Sequence, residues 1–219
     1  MPMENIKIAL TVAGSDSCGG AGIQADLKTF QACGVYGASA LTCLTAQNTG
    51  GVRAVHAPPA DFLLAQLEAV FSDVTIAAAK TGMLYSPEII QTVGRFFAAH
   101  PLPLVVDPVM VATSGDPLLA AGALEVYRDL VFPHALLLTP NLPEAAMLTG
   151  RRVESEAEMK EAALEIRNQG PKAVLVKGGH AAGRVAKDLL FDTGGTFHWL
   201  EAPLEDFGGQ EVHGSGCTL

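Results

Sequence analysis

The last seven residues, "HGSGCTL" (213–219), combine residue types that suit phosphoryl transfer. Successive amides of Gly214, Ser215 and Gly216 at the predicted start of a helix would form an anion-binding nest. Cys217 would lie in the first turn of that helix, where the dipole favours a thiolate. A lone cysteine is more often a small buried side chain, but the glycines around it favour a functional interpretation. His213 is interpreted as a loop residue.

A glycine-rich loop, residues 14–22, lies within "AGSDSCGGAGIQADLKTF". It lacks the Gly-Lys-Ser/Thr of a Walker A loop and the spacing of a dinucleotide fingerprint. One interpretation is a flexible connection between a strand and a helix. The other is a loop whose backbone approaches a small ligand, with Asp16 and Asp26 offering carboxylates to its hydroxyl or amino groups.

Two further segments carry polar residues at predicted strand ends. In "TPNLPEAAML", Asn141 and Glu144 either cap the following helix or hold Mg²⁺ through water beside nucleotide phosphates. In "VLVKGG", Lys177 is either a solvated lysine or a ligand for a phosphate group. Both alternatives stay open for each segment.

Three apolar residues, Met83, Val109 and Met110, also follow predicted strand ends. Methionines at such positions usually belong to the core or to its rim. A flat aromatic substrate would, however, require soft apolar walls of this kind.

The elements that must position these residues alternate along the chain. Apolar runs predict strands at 6–12, 38–45, 76–80, 104–107, 135–139 and 173–177, and a hairpin of 188–192 with 196–200. Helices are predicted at 21–33, at 59–71, from Ser86-Pro87, from Asp116-Pro117 and from Ser155 to about 170. This alternation predicts an α/β fold with a mostly parallel sheet and helices on both faces. Ligands of such sheets bind at the carboxyl ends of the strands, where the polar candidates are Asp16, Gln47, Lys80, Asp107, Asn141, Glu144 and Lys177.

Composition narrows the classes of function. The chain has 219 residues, 49% of them hydrophobic, which fits one domain with a large core. The net charge of −9, without a basic cluster, argues against a nucleic-acid or membrane-surface partner. The four cysteines show neither CxxC nor zinc spacing, which favours a reducing cytoplasm. The sequence contains no signal-peptide pattern and no apolar run long enough for a membrane span.

Seven segments together resemble the hydroxymethylpyrimidine and hydroxymethylpyrimidine phosphate kinases of thiamine biosynthesis, in the ribokinase-like superfamily. They are "AGSDSCGGAGIQADLKTF", "TAQNTGGV", "KTGML", "VVDPVMVATSGDPLL", "LLTPNLPEA", "VLVKGGH" and "HGSGCTL". The resemblance implies a three-layer α/β/α domain over residues 1–219, lacking its C-terminal helices because family members continue beyond this point. It also implies a cytoplasmic homodimer that uses ATP and Mg²⁺.

The resemblance further implies roles for single residues. The catalytic group would be the anion hole of Gly214, Ser215 and Gly216 with Cys217 as the base, where most ribokinase-like enzymes carry aspartate. Family members more often have threonine where this chain has Ser215, and the hydroxyl and the amide are retained. The phosphates would be bound by Asp107, Asn141 and Lys177, and Mg²⁺ by Glu144 and Asn141 through water. The pyrimidine would be bound by Gly14, Asp16, Asp26, Gln47, Met83 and Val109.

Two alternatives accompany this hypothesis. The first is a pyridoxine/pyridoxal kinase of the same family, whose substrate is also a flat heteroaromatic ring with a hydroxymethyl arm. The second is a non-catalytic pyrimidine-binding sensor, which would have no need of Cys217, the glycines, Glu144 or Lys177.

Overall fold

The computed structural model describes residues 6–111, 118–120, 122–179 and 185–203. Within these ranges a nine-stranded sheet has the order β3-β2-β1-β4-β5-β6-β7-β8-β9. The strands are β1 (Ile8–Asp16), β2 (Tyr36–Asn48), β3 (Gly51–His56), β4 (Ala78–Thr81), β5 (Leu104–Val106), β6 (Leu137–Leu138), β7 (Ala173–Val176), β8 (Val185–Phe191) and β9 (Phe197–Pro203). The central six strands are parallel, and β3, β8 and β9 pair antiparallel at the two edges.

Two helices begin at capping signals that the sequence predicted, whereas the helix Ala123–Leu130 begins after Gly122 and was not predicted there. Ser86 caps one helix by accepting a hydrogen bond from the amide of Ile89, with Pro87 in the first turn. Ser155 and Glu158 form the predicted capping box of another. The helices are α1 (Gly22–Ala32), α2 (Ala60–Asp73), α3 (Pro87–Ala99), α4 (Ala123–Leu130), α5 (Leu142–Thr149) and α6 (Glu156–Arg167), with a 3-10 turn at Phe132–His134.

Helices cover both faces of the sheet. Leu10 and Val12 of β1 belong to the large core that also contains side chains of α2 to α6. The intervening Thr11 instead bonds to Asp26 of α1. Because successive side chains of a strand point to opposite faces, α1 lies across the sheet from that core. The predicted three-layer α/β/α fold with a mostly parallel sheet is therefore confirmed.

The structure differs from the sequence prediction mainly at strand boundaries. Strand β3 was not predicted; it pairs with β2 through a turn in which the side chain of Asn48 accepts a hydrogen bond from Gly50 N. β1 continues to Asp16 rather than ending at residue 12, and β6 has only two residues. The helix start predicted at Asp116-Pro117 lies outside the described residues. No helix within the described ranges is long and apolar enough to cross a membrane.

Candidate active site

The glycine-rich loop after β1 is organised by Asp16. Its carboxylate accepts hydrogen bonds from the amides of Cys18 (2.8 Å), Gly20 (3.0 Å) and Ala21 (2.9 Å), and the residue is buried. A carboxylate that accepts several backbone N–H bonds fixes the path of the loop. Asp16 therefore shapes the loop, and a contact with substrate stays a prediction for it.

Gly14, Met83 and Val109, predicted to contact the substrate, meet at one apolar cluster. A Cβ atom built on Gly14 would lie 2.7 Å from Cys43 Sγ and 3.6 Å from Met83 Sδ. We call this group the Met83 cluster; its buried members are Cys43, Met83 and Leu118, with Val52, Val55, Ala57, Tyr85 and Val109 packed against them. The sequence reasoning missed Cys43 and Leu118. Burial raises the pKa of the Cys43 thiol, so Cys43 serves as a neutral, soft wall.

Replacing Gly14 with alanine is expected to disturb this wall directly. The new methyl group would overlap Cys43 Sγ, because Cβ contacts below 3.0 Å essentially never occur. We expect KM for the substrate implied by the resemblance to rise about tenfold, since overpacking shifts the surrounding side chains. Steady-state kinetics measure it. The matched control is Gly14→Ala with Cys43→Ala, which removes the overlapping sulfur and should restore most of the loss; no recovery would contradict the steric explanation.

Gln47, at the end of β2, is tied to the glycine-rich loop. The backbone amide of Gln47 donates a hydrogen bond to Ser17 Oγ (2.8 Å), and the Ser17 hydroxyl donates one to the backbone carbonyl of Gln47 (2.7 Å). Thr45 Oγ1 lies 3.1 Å from Gln47 Oε1 and 3.0 Å from the Ser15 carbonyl oxygen. The structure thus brings Gln47 to the same loop as Gly14 and Asp16.

Asp26 lies on the inner side of α1 and is almost fully buried, with 1% of its surface exposed. One carboxylate oxygen accepts a hydrogen bond from the Thr11 hydroxyl and the other from Lys80 Nζ, each at 2.5 Å. The carboxylate therefore faces the sheet beneath the glycine-rich loop. A contact between Asp26 and substrate stays a prediction.

The residues predicted to bind phosphate form a second, separate group. Lys177 Nζ lies 3.2 Å from Asp107 Oδ1, and both side chains are buried. Asn141 pairs with Lys177 in a parallel β-bridge. Asn141 and Glu144 form a reciprocal capping box at the start of α5, with both hydrogen bonds at 2.8 Å. Asp107, Asn141, Glu144 and Lys177 are thus neighbours, and we call them the α5 cluster.

Charge is concentrated in the α5 cluster. Burial, followed by the charge of Asp107, raises the pKa of Glu144 to about 7, although the amides of Asn141 and Met110 and the charge of Lys177 oppose the shift. Tyr127, which the sequence reasoning missed, lies nearby and is fully buried. Burial and then the charges of Asp107 and Glu144 raise its pKa well above 10. Its hydroxyl therefore keeps its proton, which it donates to the Gly82 carbonyl at 3.4 Å.

The donor set fits a magnesium ion bound through water. The side chains of Asn141 and Glu144 each already accept a hydrogen bond from the other's backbone amide, so a metal bound directly would share oxygen donors with the helix cap. Among the described residues there is no group of three or more His, Cys, Asp or Glu side chains that could hold a metal directly. Two neighbouring buried carboxylates would nevertheless favour a nearby dication, because it offsets their repulsion.

Replacing Glu144 with glutamine should change how stability depends on pH. The pKa of Glu144 in the folded protein, about 7, lies above the ordinary 4.5, so its favourable contribution is complete below pH 4.5 and is lost as pH rises through 7. Glutamine does not ionise, so the variant does not lose this stability as pH rises. We expect the free energy of unfolding of Glu144→Gln, relative to the parent protein, to rise by about 3 kcal/mol between pH 4.5 and 8. Urea unfolding without Mg²⁺ or ATP measures it.

Glu158→Gln is the matched control, because Glu158 occupies the same position in an exposed capping box. The hydroxyl of Ser155, followed by the backbone amides of Glu154 and Ser155, lowers the pKa of Glu158. Its contribution is present above pH 4.5 and is lost as pH falls, so Glu158→Gln should be less stable than the parent at neutral pH. The same pH trend in both variants would contradict the burial argument.

The four residues predicted to form the catalytic group, Gly214, Ser215, Gly216 and Cys217, lie outside the described residues. Their roles therefore stay predictions.

Comparison with known proteins decides the family. The family model described as phosphomethylpyrimidine kinase matches residues 16–219. The chain belongs to the phosphomethylpyrimidine kinase family. The hydroxymethylpyrimidine/phosphomethylpyrimidine kinase of Streptomyces coelicolor is 50% identical over 212 residues, which cover 97% of this chain and 77% of the relative. The protein of that name from Rhizobium meliloti is 51% identical over 97% of this chain and 79% of the relative.

Solved structures of phosphomethylpyrimidine kinases and of pyridoxal kinases share the fold. The phosphomethylpyrimidine kinase of Clostridium difficile superposes with a TM-score of 0.81 and 45% identity, covering 91% of this chain and 85% of that one. The pyridoxal kinase of Staphylococcus aureus in complex with AMP-PCP and pyridoxal gives 0.85 and 38%, covering 98% and 77%. The predicted family is confirmed.

Proposed function

We propose that the chain transfers the γ-phosphoryl group of ATP to 4-amino-5-hydroxymethyl-2-methylpyrimidine and to its monophosphate, in thiamine biosynthesis. The observation that carries this proposal is the family match over residues 16–219, together with relatives about half identical that are named for both substrates. The candidate site is chemically suited to this reaction, because the apolar Met83 cluster and the charged α5 cluster lie at the same edge of the sheet.

The pyrimidine is proposed to bind against the Met83 cluster. Its flat ring would pack on Met83 and Val109, with Gly14 leaving the space that a side chain would fill. The Gln47 amide has both a donor and an acceptor, which suits a ring nitrogen beside an exocyclic amine. The apolar walls would also exclude water from the reacting hydroxymethyl group.

The triphosphate is proposed to bind at the α5 cluster. Lys177 supplies positive charge there, held in place by Asp107. When bound, Mg²⁺ would offset the charge of the phosphates, with its water shell held by Glu144 and Asn141. ATP use also agrees with the Staphylococcus aureus relative, whose structure contains AMP-PCP.

The transfer is proposed to depend mainly on positioning. In the first transfer the substrate hydroxyl oxygen attacks the γ-phosphorus, and in the second an oxygen of the monophosphate does; each time the bond from that phosphorus to the β-γ bridging oxygen breaks, and ADP leaves. Cys217 would accept the hydroxyl proton, and the amides of 214–216 would stabilise the charge on the transferring group. In a loose transition state the position of the base matters more than its strength, so a thiolate can replace an aspartate.

A coupled ATP assay that compares the pyrimidine with pyridoxal tests the proposal. We expect a higher kcat/KM for the pyrimidine. A preference for pyridoxal would favour the second candidate function, a pyridoxal kinase. The similarity to the Staphylococcus aureus pyridoxal kinase supports this alternative. Pyrimidine binding without ATP turnover in the presence of Mg²⁺ would instead identify a sensor.

The oligomeric state and the cellular location are proposed from the family resemblance and the composition. We expect one kinase domain that forms a cytoplasmic homodimer and has no nucleic-acid or membrane partner, in keeping with the net charge of −9. Sedimentation velocity would test the dimer.

A further inference from the structure

A second lysine–aspartate pair, largely buried, lies on the other face of the sheet from the large core, and the proposed mechanism assigns no role to its lysine. Lys80 Nζ of β4 is 2.5 Å from Asp26 Oδ1 of α1, and the Lys80 side chain is only 16% exposed. The Thr11 hydroxyl of β1 holds the other oxygen of the same carboxylate. This Thr11–Asp26–Lys80 triad therefore ties α1 to two neighbouring strands.

The triad lies next to the backbone segments that carry the Met83 cluster. Asp26 lies one helical turn after Gly22, which packs so closely on the loop that a Cβ atom there would be 2.3 Å from the Gly14 carbonyl oxygen. Gly14 in turn faces Cys43 and Met83. On the other side, Lys80 lies 3.7 Å from the Cβ position of Gly82, which precedes Met83. The Asp26–Lys80 pair thus connects two sides of the Met83 cluster. Gly14 lies on the side formed by the glycine-rich loop and α1, and Met83 on the side formed by the end of β4.

We propose that Lys80 is a positioning residue that, through Asp26, sets the spacing between the glycine-rich loop and Met83 and thereby the affinity for the pyrimidine. The inference rests on the proposed function only for the identity of that ligand. Because a buried charge requires its partner, loss of Lys80 would let Asp26 and the start of α1 move away from β4. The α5 cluster is built on the ends of β5, β6 and β7, so ATP binding should be unaffected.

The experiment compares Lys80→Met and Lys80→Arg with the parent protein in the full chain. Calorimetry measures the Kd for 4-amino-5-hydroxymethyl-2-methylpyrimidine without ATP, and kinetics measure KM for each substrate separately. Lys80→Met should raise the pyrimidine Kd and KM on the order of 10- to 100-fold, the size expected for a misplaced binding group. KM for ATP should stay within about twofold, and Lys80→Arg should recover part of the affinity.

Lys187→Met is the matched control, since it removes a lysine of β8 that is paired with the exposed side chains of Glu156 and Glu201. It should leave both KM values unchanged. If Lys80→Met does not fold, Lys80→Arg carries the test, because it keeps Asp26 paired while changing the distance between α1 and β4; its pyrimidine Kd should rise several-fold while KM for ATP stays within about twofold. Unchanged pyrimidine Kd in whichever variant folds, or equal losses for ATP and pyrimidine, would overturn the inference.

Failure of the proposed function has a different signature. A parent protein that binds the pyrimidine but does not turn over ATP would disprove the kinase, while the calorimetric comparison would still decide the role of Lys80. A parent protein that binds pyridoxal instead of the pyrimidine would disprove the proposed substrate, and the same calorimetric comparison with pyridoxal would then decide the role of Lys80.

Discussion

Replacing Cys217 with alanine is expected to lower kcat about 10²- to 10⁴-fold, the usual contribution of a positioned acid or base. KM for the pyrimidine should change little, because the proposed ring contacts are made by Gln47, Met83 and Val109. A residue that acts only when the hydroxyl proton leaves stabilises the transition state and not the bound substrate. Single-turnover kinetics with excess enzyme would isolate the chemical step.

Two further variants make the test of Cys217 specific. Cys217→Asp should retain more activity than Cys217→Ala, because a carboxylate can also accept the proton. Cys33→Ala, which removes an exposed thiol at the end of α1, is the matched control and should behave like the parent protein. Unchanged turnover in Cys217→Ala would remove the general-base role and leave positioning by the glycine turn as the source of the rate.

Replacing Lys177 with methionine is expected to have the second largest effect. The substitution leaves Asp107 and Glu144 buried together without their cation. Removing one partner of a buried ion pair typically costs about 3–5 kcal/mol of unfolding free energy, because the remaining charge is uncompensated. KM for ATP should rise and kcat/KM fall about 100-fold, the scale of a lost charge contact to phosphate.

The controls for Lys177→Met separate charge from packing. Adding Asp107→Asn should recover much of the stability while ATP binding stays weak, since the phosphate contact is still absent. Lys187→Met should lose little stability, because exposed ion pairs contribute about 0–1 kcal/mol. A stability loss in Lys177→Met no larger than in Lys187→Met would contradict the account of a buried pair. Urea unfolding and ATP kinetics provide both measurements.

The order of strands and helices could be predicted because each element carries a local signal. Ser86-Pro87 and Ser155 with Glu158 mark helix starts that the structure reproduces. Strand β3 was not predicted because its pairing with β2 depends on contacts across the hairpin, although the turn residues Thr49 and Gly50 can be recognised in the sequence. An edge strand has only one neighbouring strand and is less buried, so its hydrophobic pattern identifies it less clearly as a strand.

The site was predictable only as far as strand ends could be recognised. That rule placed Asp107, Lys177 and Glu144 together, because parallel strands end at the same edge of the sheet. It could not identify Tyr127, which lies on α4, or the triad of Thr11, Asp26 and Lys80, whose members are adjacent only in space. Such contacts depend on how α1 and α4 pack, which no single segment specifies.

The reciprocal cap of α5 has a consequence for ligand binding. Asn141 and Glu144 are held by each other's amides, so their orientation is fixed when the helix forms. The conformational entropy of these two side chains is therefore lost during folding and not when nucleotide arrives. This part of the site is preorganised: it should accept its ligand with little local rearrangement, and the cost of ordering it is carried by the stability of the domain.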